Sequence, residues 1–212
     1  MKIKTEYYQS AVKKLPDSRQ YIIGHQDEEQ VVVYQAYKPA IASFAVANHY
    51  LGGSDYSYNR MSWIKPNFLW MMYRCGWAEK DNQERVLALW INKKALQDIL
   101  SNAVLSSFNP QYYSSHEAWK NELNTRDVRL QWDPDHDPYG NKLTRRAIQL
   151  GLKGDMLKEF GKKQVNLVED ITEFVREQKQ YLDKNQAEKL IVPVESILEI
   201  NDSALKKRVG ID

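Results

Sequence analysis

The chain has 212 residues, the length of one domain, and its 42% apolar and 27% charged residues exclude a chain that is disordered throughout. Its 30 lysines and arginines nearly balance its 28 aspartates and glutamates, so the net charge of +2 excludes strong bulk attraction to a polyanion. One cysteine excludes an intramolecular disulfide, and no apolar run approaches the length of a signal peptide core or of a bilayer span, so we expect a cytoplasmic protein without membrane contact.

The first predicted elements are a strand and two helices. Val31–Tyr37 is β-branched and aromatic, which is typical of a buried strand. Pro39 ends the strand, and the apolar spacing after it predicts a helix over about 40–51. Pro66 is predicted to open a second short helix, which ends before Gly76.

The middle of the chain predicts one strand and two more helices. Val86–Ile91 is an apolar run of strand length. The apolar residues over 96–104 recur at helical spacing and predict one helix face. Ser114 and Glu117 have the spacing of a capping box, which predicts the start of a further helix.

The last third of the chain predicts mostly strands. Val128–Trp132 and Arg146–Leu152 are predicted to pair across a long hairpin loop, because the segment between them is rich in Asp, Pro, Gly and Asn. A strand at Val165–Val168, a charged helix over about 173–189 and a last strand around 190–200, interrupted at Pro193, complete the chain. Helices are crowded early and strands late, which favours an α+β fold over a repeating βαβ sheet. We expect a single domain over residues 1–212, with a small mixed or split antiparallel sheet flanked by helices.

The densest group of chemically active side chains lies in the segment 60–77. Arg60, Lys65 and Arg74 stand there among four tryptophans and tyrosines. Arginine presents a planar fork to phosphate or carboxylate, and a helix start such as the one after Lys65 favours anions. An anionic ligand with a flat ring, such as a nucleotide, suits this combination. We expect Arg60, Trp63 and Lys65 to line the main cleft together with Gln35.

The sequence does not predict a metal site. Asp133, Asp135 and Asp137 alternate as in a calcium loop, but Pro138 and Thr144 occupy the positions where an EF-hand needs glycine and glutamate. A turn held by Asx hydrogen bonds is the expectation instead. The four histidines show no ligand spacing, and no glycine-rich phosphate loop or G-x-S-x-G elbow is present.

Several segments resemble the family known as domain of unknown function 4291. The matching segments are Val33–Tyr37, Arg60–Arg74, Gln83–Ala88, Val128–Pro134, Arg146–Leu152 and Val192–Glu195. They follow one another over roughly residues 30–200, and the fifteen-residue central block is the most specific of them. Ser62 and Ala147 stand where this family is expected to have threonine and serine.

A more distant resemblance is to the ADP-ribosyltransferase superfamily. It implies that NAD is the substrate, that Tyr34 and Gln35 occupy the early-strand position, and that Arg60 and Trp63 hold the phosphate and the ring. Lys65, Arg74, Arg146 and Gln149 are further candidate NAD-binding residues. The resemblance also implies a late catalytic glutamate, for which Glu195 and Glu188 are the candidates. A protein or a nucleic acid would be the acceptor.

The competing hypothesis is a non-catalytic module that binds nucleotides or RNA. Arg129, Gln131, Arg146 and Gln149 alternate on two strands that are predicted to pair, so their side chains could share one face of a sheet. Such a face binds nucleic acid by phosphate contacts and by stacking on nearby tryptophans. The sequence leaves the choice between these functions, and the oligomeric state, open.

Overall fold

The computed structural model describes residues 1–212. Its strands are β1 (Thr5–Tyr7), β2 (Ile23–Gly24), β3 (Gln30–Tyr37), β4 (Ser62–Ile64), β5 (Arg85–Asn92), β6 (Ala103–Leu105), β7 (Val128–His136), β8 (Lys142–Leu152), β9 (Val165–Asp170), β10 (Ile191–Pro193) and β11 (Ser196–Ile197). Its helices are α1 (Tyr8–Ala11), α2 (Pro39–Asn48), α3 (Phe68–Cys75), α4 (Lys93–Ser101), α5 (His116–Thr125), α6 (Gly154–Glu159), α7 (Thr172–Asp183) and α8 (Ser203–Val209). None of these helices is long and apolar enough to cross a membrane.

Two larger sheets and two short strand pairs form the β structure, and the α+β class expected from the sequence is confirmed. One larger sheet has the strand order β3-β5-β9 and is antiparallel throughout. The other has the order β4-β8-β7-β6, in which β6 alone runs parallel to its neighbour. β1 pairs with β10, and β2 pairs with β11.

The two larger sheets meet at a short backbone seam between Tyr34 and Lys65. The Tyr34 N–H donates to the Lys65 carbonyl at 2.7 Å, and the Lys65 N–H donates to the Tyr34 carbonyl at 3.2 Å. Tyr34 belongs to β3, and Lys65 follows directly on β4. The seam therefore brings the end of β4 and the start of α3 against β3.

The apolar core lies on both faces of the β3-β5-β9 sheet. Val31, Val33 and Leu89 belong to one cluster of buried side chains, while Val32 and Trp90 belong to a second cluster on the other face. Because β5 is buried on both faces, its sequence is a continuous apolar run and does not alternate with polar residues.

The sequence predicts that helix α3 begins at Pro66, but the helix begins two residues later, at Phe68. The Asn67 side chain accepts a hydrogen bond from the Trp70 N–H at 2.8 Å, which makes Asn67 the N-cap. The helix ends at Gly76, which has a φ of 58° and so adopts the left-handed conformation that favours glycine.

The first four residues of the predicted hairpin loop over 133–141 belong to a strand. β7 continues to His136, which pairs with Lys142 on β8, and a register shift accommodates Pro134. The remaining turn is held as predicted by Asx hydrogen bonds, because Asp137 Oδ1 accepts the N–H groups of Tyr139 and Asn141 at 2.9 Å. The loop-like composition of residues 133–136 did not prevent this end of β7 from pairing with β8.

Smaller boundary errors also have identifiable causes. Ala103 and Val104 leave the predicted helix, because α4 ends at Ser101 and the next residues pair with β7. Ser115 caps α5 by accepting the Ala118 N–H at 3.0 Å, so the capping box at Ser114 is wrong. The predicted last strand is two short strands on different partners, and the predicted helix over 173–189 ends at Asp183.

Gly151 on β8 allows the side chains of Met61 and Trp63 to lie over the strand. A Cβ atom at Gly151 would lie 2.7 Å from Met61 Sδ and 2.9 Å from the Trp63 ring. We expect Gly151→Ala to lower the free energy of unfolding by about 1–3 kcal/mol, because Trp63 must move. Urea unfolding followed by circular dichroism measures this, and Thr144→Ala, at an exposed position of the same strand, is the control. Equal stability of the Gly151 variant and wild type would contradict it.

Candidate functional site

A cleft of about 590 Å³ lies beside the seam between the two sheets. Its walls come from β3, from β4 and the residues around it, from α3 and from the paired strands β7 and β8. Its lining residues are Gln35, Ala36, Tyr37, Arg60, Met61, Ser62, Trp63, Lys65, Trp70, Met71, Arg74, Gln83, Gln131, Asp133 and Gln149. Segments far apart in the chain therefore converge on one concave surface.

The structure brings together most of the residues that the sequence singled out. Those that line the cleft are Gln35, Arg60, Trp63, Lys65, Arg74 and Gln149. Those that do not line it are Tyr34, Arg146, Glu188 and Glu195.

The side chains of Tyr34 and Gln35 point to opposite faces of the sheet, because they are neighbours on strand β3. Tyr34 is 0% exposed and packs edge-on against Phe68 in the core, and burial raises its pKa well above the ordinary value. Gln35 faces the cleft and holds β4 in place. Its Nε2 donates to Ser62 Oγ at 2.7 Å and to the Trp63 carbonyl at 3.1 Å, while the Tyr37 hydroxyl donates to its Oε1 at 2.8 Å. Gln35 thus positions the cleft wall, because both of its N–H groups are already used.

Arg146 does not share a face with Gln149, contrary to the expectation from the strand pattern. Arg146 and Gln149 differ by an odd number of residues along β8, so their side chains point to opposite faces. The Arg146 guanidinium donates to the Trp132 carbonyl at 2.9 Å, and that of Arg129 donates to the Arg126 carbonyl at 2.9 Å. Both arginines of the predicted RNA-binding face are therefore bound to backbone carbonyls.

Neither late glutamate lines the cleft. Glu195 is half-buried, and its Oε1 accepts the N–H of Phe68, the first residue of α3, at 2.8 Å. Burial raises the pKa of Glu195 to about 8, although that hydrogen bond favours the charged form. Glu188 is exposed on a 3₁₀ turn over Ala187–Lys189. Glu195 therefore occupies the position of a hydrogen-bond acceptor that satisfies one of the free N–H groups at the start of α3.

The carboxylate that does line the cleft belongs to Asp133. Gln131 Nε2 donates to its Oδ1 at 2.9 Å, and Gln149 Nε2 donates to its Oδ2 at 2.8 Å. Gln131 and Gln149 are direct partners across β7 and β8. Asp133 makes no salt bridge, so two neutral amides hold its orientation. The alternation Gln131-x-Asp133 was a signal for this site, but the prediction ended the strand at Trp132.

Three cations line the same cleft, and none of them makes a salt bridge. Arg60 is exposed at the rim, and the Arg74 guanidinium lies 6.0 Å from the centre of the Trp70 ring. Lys65 is 5% exposed, and the only hydrogen bond of its side chain is donated by Nζ to the Trp63 carbonyl at 3.5 Å. Burial lowers the pKa of Lys65 to about 8, and the positive charge of Arg74 contributes to the same shift. Positive charge is thus concentrated without an internal counter-ion within salt-bridge distance.

Replacing Lys65 by methionine should stabilise the protein. An apolar side chain of similar length removes a buried charge that lacks a carboxylate partner, so we expect the free energy of unfolding to rise by about 1–3 kcal/mol at pH 7. The folded pKa lies below the unfolded one, so the wild-type penalty is complete below pH 8 and disappears as the pH rises towards 10.5. The advantage of Lys65→Met should therefore shrink over that range.

Urea unfolding at pH 7 and at about pH 9.5 measures this difference. Lys163→Met is the control, because the Lys163 side chain is 71% exposed and is paired with Glu159. We expect the control to change stability by less than about 0.5 kcal/mol. A Lys65→Met protein that is less stable than wild type at pH 7 would show that the ammonium has a stabilising partner.

The residues of the cleft do not form a metal-binding group. No cluster of three or more His, Cys, Asp or Glu side chains in residues 1–212 is arranged to hold a metal ion.

His136 lies outside the cleft lining. It is buried and stacks on Tyr73 with 3.7 Å between ring centres, and burial lowers its pKa. Neither of its ring nitrogens has a hydrogen-bond partner.

The model of the family described as domain of unknown function DUF4291 matches residues 21–198. The chain belongs to this family. No curated protein matches the chain. The DUF4291 match contains every residue that lines the cleft, and also Glu188 and Glu195. The match leaves out β1, α1 and α8. None of these three elements contributes a residue to the cleft, so the cleft is built wholly from the DUF4291 domain.

Proposed function

We propose that this DUF4291 protein binds a nucleotide in the cleft beside the seam and cleaves the glycosidic bond between nicotinamide and ribose in NAD. The observation that supports it is the combination within one cleft of three unpaired cations, two tryptophans and a carboxylate of fixed orientation. Each part matches one part of NAD: cations the pyrophosphate, tryptophan the ring, and the carboxylate the reacting ribose.

The cations account for binding. Arg60 and Arg74 can each present a planar fork to phosphate oxygens, and Lys65 adds a third positive charge. The cleft holds three cations and one carboxylate, Asp133, so the cations repel one another on balance and an anionic ligand reduces that repulsion. Trp63, which is half-buried, can offer part of its ring to the ligand, whereas Trp70 is 4% exposed and stacks on Tyr73 and His136.

Asp133 accounts for the chemistry. When the glycosidic bond breaks, its electron pair goes to the nicotinamide nitrogen, which becomes neutral, and positive charge develops on the ribose. A carboxylate close to that charge stabilises the transition state more than the ground state. Gln131 and Gln149 keep both Asp133 oxygens in place, so no reorganisation is needed as the charge appears. Water or another acceptor then bonds to the ribose carbon and loses a proton.

The RNA-binding alternative receives less support from the geometry. Arg129 and Arg146 are both occupied by backbone carbonyls, and the net charge is only +2. Tight general binding of nucleic acid needs many free phosphate contacts and shows a steep dependence on salt.

Calorimetric titration with NAD, ADP-ribose and single-stranded RNA at moderate salt tests the ligand class. We expect NAD and ADP-ribose to bind more tightly than RNA, and the pair of changes Arg60→Met and Arg74→Met to weaken their binding by tenfold or more, about 1.4 kcal/mol. Arg176→Met is the control, because Arg176 is exposed and already paired with Glu173. Tighter binding of RNA with a steep salt slope would reverse the ranking.

A further inference from the structure

Lys65 has features that phosphate binding does not use. Its side chain is 5% exposed, lines the cleft, and has no carboxylate within salt-bridge distance. Its position is set by the backbone seam with Tyr34, so the amine is presented from a fixed strand end and not from a mobile loop.

A lysine amine becomes a nucleophile when it is removed from water or placed next to another cation, because both disfavour the ammonium form. Both conditions hold at Lys65, where burial is the larger effect and the charge of Arg74 the second. With a pKa of about 8, which the negative charge of Asp133 keeps from falling further, roughly a tenth of the Lys65 population is the free amine at pH 7, whereas an ordinary surface lysine is almost entirely protonated.

We propose that Lys65 forms an imine with a phosphorylated aldehyde bound in the cleft. Lys65 Nζ attacks the carbonyl carbon, a C=N bond forms, and the carbonyl oxygen leaves as water with the two amine hydrogens. The step needs no oxidant, reductant or metal. Arg60 and Arg74 hold the phosphate, and the half-buried Trp63 lies beside the rest of the ligand.

This reactivity goes beyond NAD cleavage and does not depend on it. The two share the cleft: Arg60 and Arg74 for the phosphate, a tryptophan beside the ligand, and Asp133. Imine formation uses the Lys65 amine in addition, which NAD cleavage does not need. A small sugar phosphate in its open-chain form has the required chemistry, since it carries an aldehyde and a phosphate on one short chain. The Asp133 carboxylate in the same cleft can accept hydrogen bonds from hydroxyl groups of such a ligand.

The experiment uses pyridoxal 5′-phosphate as the probe, because it combines an aldehyde, a phosphate and a flat ring. The 212-residue chain is incubated with less than one equivalent of the probe, reduced with borohydride, digested and mapped by mass spectrometry. We expect Lys65 to be labelled about tenfold faster than any other lysine at pH 7.5. Inorganic phosphate should slow the labelling, and pyridoxal without the phosphate should label more slowly.

Two variants serve as controls. Lys65→Arg keeps the positive charge but cannot form an imine, so the dominant adduct should be lost. Lys38→Arg is the matched control, because Lys38 lies in the neighbouring hollow that shares Tyr37 and Arg60 with the cleft, and it is paired with Asp55. Labelling of Lys65 should persist in that variant. Circular dichroism and melting temperature verify that both variants are folded.

Even labelling of surface lysines, or faster labelling of Lys38 than of Lys65, would overturn the proposal. Equal rates with pyridoxal and its phosphate would overturn the requirement for a phosphorylated ligand. A protein that labels at Lys65 but neither binds nor cleaves NAD would refute only the proposed function, so the two failures are distinguishable.

Discussion

Asparagine in place of Asp133 should lower nicotinamide release from NAD by about 10²–10³-fold, the effect typical of removing one electrostatic stabiliser of a transition state. Asparagine keeps the size of the side chain. The amides of Gln131 and Gln149 can rotate to keep their hydrogen bonds, so the cleft should retain its shape. NAD binding should change far less than turnover, because the charge on the ribose develops only in the transition state.

The matched variants are Glu195→Gln and Glu188→Gln, which make the same kind of change at carboxylates outside the cleft. We expect both to retain most of the activity. Nicotinamide release is measured by chromatography, with protein, RNA and small-molecule acceptors supplied in turn, and NAD binding by calorimetry. Loss of activity in Glu195→Gln alone would return the catalytic role to the late glutamate. Absence of release by the wild type with every acceptor would remove the support for NAD cleavage.

Breaking the buried ion pair between Asp135 and Arg145 should have the largest effect on stability. Asp135 is 0% exposed, Arg145 is 4% exposed, and Arg145 Nε donates to Asp135 Oδ2 at 2.6 Å. Removal of either partner leaves the other charge buried without compensation, so we expect Asp135→Leu and Arg145→Met each to lower the free energy of unfolding by about 3–5 kcal/mol.

The double variant Asp135→Leu with Arg145→Met should regain most of that loss, because two apolar side chains of similar size replace both charges. Urea unfolding of the four proteins forms a double-mutant cycle. The exposed pair of Glu173 and Arg176 gives the comparison, and its cycle should yield less than about 1 kcal/mol. Additive single effects at Asp135 and Arg145 would contradict a direct interaction.

The elements that the sequence predicts well are those whose pattern is set by burial. β5 is buried on both faces, so its six-residue apolar run is visible without a partner in view. β4 escaped prediction because it has only three residues, and two of them are half-buried. Its strand conformation is imposed by pairing with β8 and by the seam at Lys65, and neither contact is local in the sequence.

The sequence revealed only the part of the candidate site that lies within one short segment of the chain. Arg60, Trp63 and Lys65 lie close together in the chain, so their chemistry could be read from one segment. Asp133 was assigned to a loop because of its neighbours Pro134 and Asp135, and only the register of β7 on β8 shows its place beside Gln149. Local composition carries no information on such register.

Glu195 illustrates a second limit. The chain changes sheet between β10, which pairs with β1, and β11, which pairs with β2. Glu195 lies in the two-residue connection between them, and that connection delivers its carboxylate to the first N–H of α3. A sequence pattern of proline and glutamate is the same for a catalytic acid and for such a helix-stabilising group.

The cleft wall also gives the protein an internal optical signal. Two of the six tryptophans, Trp63 and Trp70, border the cleft, and Arg74 lies beside Trp70. Indole emission shifts with the electric field at the ring, and a bound anion changes that field by neutralising the neighbouring cations. Occupancy can therefore be followed by intrinsic fluorescence without a label, and Trp63→Phe and Trp70→Phe separate the two contributions. The indoles of the cleft wall thus report whether the site is filled.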